Sequence, residues 1–170
     1  MSGLARLVSN PRATLRALDC LDARDDFLTF CGMIQIPSAP IEEDEDEDEY
    51  EVPAYRPPKR PTAAHHIKLA QVLEALDDGT VKRAMFFLPP GSAKSTYGSV
   101  VFPAWFMGRK NRRNVGVATY AADLARKMGR RMRSVAKQPV HRGVFGTSPG
   151  PESAAPNEWA LDNGNEFMGN

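Results

Sequence analysis

The residues best suited to chemistry in this chain are Gly91-Ser92-Ala93-Lys94-Ser95-Thr96. Glycine and small residues let successive backbone N–H groups crowd around an anion without side-chain obstruction. A lysine at position 94 brings a positive charge to phosphate, and the Ser95 hydroxyl is suited to ligate a magnesium ion held by that phosphate. The segment departs from the G-x-x-x-x-G-K-[ST] spacing, with Leu88 and Ala93 at the two glycine positions. Alanine at 93 is still small enough for close phosphate approach.

Such a loop is expected where a strand hands over to a helix. Ala84-Met85-Phe86-Phe87-Leu88 is an apolar run of strand length, bounded by Lys82-Arg83 and Pro89-Pro90, and reads as a strand buried on both faces. A helix from about Lys94 to Met107 follows, its straightness disturbed by Gly98 and Pro103, with Trp105 and Phe106 in the core. Val115 to Thr119 reads as a second strand and Ala121 to Lys137 as a helix burying Leu124, Met128, Met132 and Val135. Upstream, Ile67, Ala70, Leu73 and Leu76 mark one face of an amphipathic helix that ends at Asp77-Asp78-Gly79. The order predicts a βαβ unit with parallel strands joined by a right-handed crossover. Asn163-Gly164 predicts a hairpin between 159–161 and 166–168.

The first 36 residues form a helical segment with apolar positions Leu15, Leu18, Leu21, Phe27, Leu28 and Phe30. Residues 37–62 form an acidic, proline-rich linker expected to be disordered and cleaved first by proteases. Nine of the 21 acids lie within residues 42–51, so the remainder carries 12 acids against 22 bases. Such an excess suits a polyanionic partner. The bases concentrate between Arg109 and Arg142. Arg126, Lys127, Arg130, Arg131 and Arg133 are the candidate nucleic-acid contacts, against a plain solvated helix face. Cys20 and Cys31 lack zinc-ligand spacing and read as reduced thiols, and no stretch reaches the roughly 20 apolar residues of a bilayer span.

Taken together, FFLPPGSAKSTYGSVVFPAWFMGR and VATYAADLARKMGRRMR resemble the large terminase subunit of tailed bacteriophages, over about His65 to Gly169. The resemblance implies an α/β fold, the P-loop NTPase parallel sheet with flanking helices, over residues 63–170. It implies ATP and Mg2+ as cofactors, with Gly91 to Thr96 as the phosphate loop, Lys94 on phosphate, Ser95 on magnesium, and His66 in the region that contacts adenine. Implied partners are double-stranded DNA, a small terminase subunit and the portal protein of the capsid, with homo-oligomerisation in the full-length protein, in the cytoplasm of an infected bacterial host. After Leu88 there is no apolar run ending in Asp-Asp or Asp-Glu, so neither the magnesium-ordering aspartate nor the water-activating carboxylate is identified. The resemblance places that strand just past the hairpin and a nuclease domain further on, so the sequence is expected to be a truncated ATPase domain without turnover of its own. A helicase-like ATPase and a non-catalytic DNA-binding fragment are the alternatives.

Overall fold

A computed structural model describes residues 11–36, 62–150 and 158–169; the acidic linker lies outside them. Helices α1 (Pro11–Asp25) and α2 (Phe27–Met33) turn sharply on Asp26, whose carboxylate caps α2 through the Thr29 N–H. Helix α3 spans Ala64–Asp77. Lys94–Thr96, Tyr97–Val101 and Phe102–Arg109 run on as one helix, α4. Strand β1 (Val115–Val117), helices α5 (Ala122–Lys137) and α6 (Pro139–Phe145), and strands β2 (Glu158–Ala160) and β3 (Glu166–Gly169) complete the described residues.

The middle of α4 is a π-helical turn in which the Phe102 N–H reaches back five residues to the Tyr97 carbonyl. Pro103 explains it. A proline ring collides with the carbonyl four residues earlier, and a widened turn makes room without breaking the helix. α5 packs on this widened turn. Its buried positions are Ala125, Gly129, Met132, Val135 and Ala136. Leu124 and Met128, expected in the core, are only half-buried. Ala125 lies against Gly169 of β3, where a Cβ would sit 3.5 Å from its own. α3 is rotated likewise: Leu69, Ala70, Leu73 and Asp77 are buried, whereas Ile67 is exposed. Leu18 and Leu21 of α1 are also exposed, while Phe27 and Phe30 are buried.

The sheet has the order β1-β3-β2, with β1 parallel to β3 and β2 antiparallel to β3, so it is mixed. The hairpin around Asn163-Gly164 forms as expected, with Gly164 at φ +82. The expected strand at 84–88 does not form: the segment is irregular and belongs to no ladder. Phe86 and Leu88 pack on the core, whereas Met85 and Phe87 are 81% and 85% exposed. Alternation of this kind is one-sided cover, not burial on both faces. The predicted parallel pairing of this segment with β1 is therefore absent, and β1 instead finds its parallel neighbour in β3.

One apolar core joins α1 and α2 to the rest through Phe27, Phe30, Trp105, Met107, Met132, Trp159 and Phe167. Trp105 is fully buried and donates its indole N–H to the Ala23 carbonyl at 3.0 Å. α6, which the sequence reading missed, closes against α4 at Gly108. A Cβ there would lie 2.5 Å from the Phe145 ring.

His141 of α6 is fully buried, its Nε2 3.1 Å from the Ala104 carbonyl and its Nδ1 3.3 Å from the Thr147 carbonyl. The two carbonyls and Asp162 favour the imidazolium, but burial outweighs them and pushes the pKa below its ordinary 6.5. The folded state thus takes up this proton less readily than the unfolded chain. Its contribution is fully present above about pH 6.5 and is lost as pH falls, by at most about 1.4 kcal/mol per pH unit. Urea unfolding at pH 7.5 and pH 5.5 should show this loss, and His141→Gln should remove that part of the pH dependence.

Candidate phosphate-binding site

The loop between Leu88 and α4 is shaped by its backbone. Pro89 and Pro90 have φ fixed by their rings, and a turn closes from the Ser92 N–H to the Pro89 carbonyl at 3.3 Å. Gly91 has φ +78 and Ala93 has φ +55, ψ +19, both left-handed. Ala93 is non-glycine, so its conformation costs about 1 kcal/mol. The left-handed residue directly before the helical Lys94 makes a nest, which gathers the amides of Ala93, Lys94 and Ser95 into one concavity.

The first intrahelical bond of α4 runs from the Tyr97 N–H to the Ala93 carbonyl at 3.0 Å, and no side chain caps the helix. Lys94, Ser95 and Thr96 therefore present N–H groups at the positive end of a long helix. Lys94 is half-buried, and its ammonium meets no carboxylate among the described residues. Ser95 is exposed, Thr96 is buried, and the buried Ser92 Oγ has no hydrogen-bond partner among the described residues. Gly91, Ser92, Ala93, Lys94, Ser95 and Thr96 thus come together in a form that fits a phosphate group and leaves the Ser95 hydroxyl open to a metal ion. Among the described residues no group of three His, Cys, Asp or Glu side chains could itself hold a metal, so magnesium here would depend on phosphate oxygens and water.

His66 reaches the loop from α3. Its Nε2 lies 3.0 Å from the Ser92 carbonyl, and its ring is 4.5 Å from that of Tyr97 and 4.1 Å from that of His65. Tyr97 is half-buried, and burial, followed by nearby Cys31, raises its hydroxyl pKa above 10.0. This junction escaped the sequence reading. Only the adjacency of two ring-bearing histidines hinted at it.

The basic positions divide. Arg126 and Arg130 are exposed on α5, with Arg126 2.9 Å from Asp123. Lys127, Arg131 and Arg133 are half-buried, and the Arg133 Nε is buried without a partner among the described residues. Arg109 and Arg113, counted with the basic segment, do not face outward as free cations. Both hold the buried carboxylate of Asp77, and they stack over Trp105 and Phe106 at 4.5 and 4.4 Å. Cys20 and Cys31 are free thiols, with burial raising the Cys31 pKa well above 9.0. No described helix is long and apolar enough to cross a membrane.

The chain matches no protein-family profile, no curated protein and no solved structure.

Proposed function

We propose that this chain binds magnesium–ATP at Gly91 to Thr96 as part of an ATPase domain of the terminase large-subunit kind. The observation that carries the reading is the uncapped start of α4, where left-handed Ala93 and the open amides of Lys94, Ser95 and Thr96 adjoin an ammonium that meets no carboxylate among the described residues. Phosphate supplies the missing acceptor for both. Lys94 then neutralises part of the phosphate charge, and the Ser95 hydroxyl takes one magnesium position. By the resemblance, hydrolysis would drive double-stranded DNA into a procapsid before cleavage, with a small terminase subunit and a portal as partners. Arg126 and Arg130, exposed on α5, are the positions proposed to touch DNA backbone.

Titration of a fluorescent ATP analogue with magnesium tests the reading. Lys94→Ala should weaken binding by roughly ten- to a hundredfold, the worth of one charge-assisted hydrogen bond of about 1.5–3 kcal/mol. Equal affinity of the two proteins would refute it.

A further inference from the structure

The loop holds a demanding shape with little of its own to hold it. Two of its residues, Gly91 and Ala93, are left-handed, and its one internal hydrogen bond, Ser92 N–H to Pro89 carbonyl, is long at 3.3 Å. Among the described residues, His66 is the side chain that bonds its backbone, at the Ser92 carbonyl. A carbonyl oxygen only accepts, so the His66 Nε2 must carry the proton. The imidazole is itself fixed against Tyr97, which lies one turn into α4 and donates its N–H to Ala93. α3 therefore touches the chain on both sides of the nest.

We infer that His66 is a positioning residue that sets the phosphate loop's shape before any ligand arrives, by fixing the Ser92–Ala93 peptide plane. In a trans peptide the C=O and the following N–H point in opposite directions. Holding the Ser92 carbonyl on His66 therefore turns the Ala93 N–H away from α3, and a reversal of that plane would exchange the Ala93 donor for an acceptor that repels phosphate. The role given to phosphate rests on the reading of the previous subsection; the clamp itself rests on the ligand-free geometry. It also gives the imidazole a task other than touching a nucleotide base, since its Nε2 is already engaged.

Three substitutions separate donor from ring. His66→Gln keeps an N–H at similar reach, His66→Phe keeps the ring against Tyr97 but has no donor, and His66→Leu has neither. In the ligand-free protein, long-range nitrogen–proton spectra should show His66 with protonated Nε2 and bare Nδ1. Hydrogen exchange at the Ser92 amide, the loop N–H that is bonded, should be unchanged in His66→Gln and quicken at least tenfold in His66→Phe and His66→Leu. Affinity for the ATP analogue should follow the same order, with the glutamine variant within about threefold of the unsubstituted protein. Protonation at Nδ1 alone, or a phenylalanine variant with unchanged exchange, would overturn the inference. Should substitution unfold the chain, the imidazole spectrum of the unsubstituted protein still decides. If the spectra and exchange behave as expected while no nucleotide binds to any variant, the clamp stands and the ATP reading falls.

Discussion

Replacing Asp77 with alanine is expected to destabilise the fold by about 3 kcal/mol, at the lower end of the cost of breaking a buried ion pair. Its carboxylate is 1% exposed and receives both Arg109 and Arg113. The Arg113 guanidinium also donates to the Asp77 main-chain carbonyl at 3.3 Å. This one side chain thus ties the end of α3 to the end of α4 and to the approach to β1. Without it two guanidinium groups confront each other with no counter-charge between them. They are 16% and 21% exposed, so water recovers part of the loss, which sets the estimate at 3 instead of 5. Asp25, 78% exposed on the outer side of Arg109, compensates little, as a surface pair is worth roughly 0–1 kcal/mol. Asp77→Asn should cost less, because its amide oxygen still accepts from one arginine while its NH2 opposes the other. Urea unfolding should show the midpoint falling with the slope unchanged. A loss under 1 kcal/mol for Asp77→Ala would show that the arginines hold these elements without it.

What the sequence reveals follows from how local each determinant is. The turn into α4 at Gly91 to Thr96 is legible because small residues and a helix start act within six positions, and the hairpin because Asn163-Gly164 specifies a turn locally. Helix positions are legible from period, but rotation is not. α3 turns Asp77 inward because two arginines more than thirty residues away meet it there, and no measure of apolar periodicity places a carboxylate in a core. α5 buries Ala125 and Gly129 while Leu124 and Met128 stay half-buried, with Ala125 lying against Gly169 of β3, a contact no periodicity announces. The segment at 84–88 shows the limit most plainly: Met85 and Phe87 have the composition of a buried strand, but a strand exists only with neighbours to pair with. α6 is signalled only by Pro139 at its start and Gly146, φ +72, at its end, because its seven residues are too few to show a helical period. The contact of His66 with Ser92 spans 26 positions, and nothing in the local pattern of either residue announces it.

Asn165 governs the other end of the helix that carries the loop, and its loss is the second large effect expected. The side chain is fully buried between the hairpin and the end of α4. Its amide nitrogen donates to the carbonyls of Met107 and Lys110, both at 2.6 Å, and its oxygen accepts the Arg113 N–H at 2.9 Å. Orphan carbonyls at a helix end need donors, and these two receive theirs from a residue more than fifty positions on. Asn165→Ala removes all three bonds. Asn163 still donates to Met107 at 3.0 Å, so the uncovered groups are chiefly the Lys110 carbonyl and the Arg113 N–H. At about 1–3 kcal/mol for each buried polar group left unpaired, the substitution should cost about 3 kcal/mol. Asn165→Asp should cost more, although it is nearly the same shape. The oxygen that replaces its amide nitrogen faces the Met107 and Lys110 carbonyls at the negative end of the α4 dipole, and burial disfavours its charge as well. The comparison distinguishes hydrogen bonding from packing, since packing alone would make aspartate the milder change. α4 covers about 24 Å from Lys94 to Arg109 at 1.5 Å per residue. Nucleotide affinity per folded molecule should therefore be unchanged in both variants, with the damage confined to the urea midpoint. An aspartate variant as stable as the unsubstituted protein at neutral pH would show that these bonds do not hold the hairpin to α4.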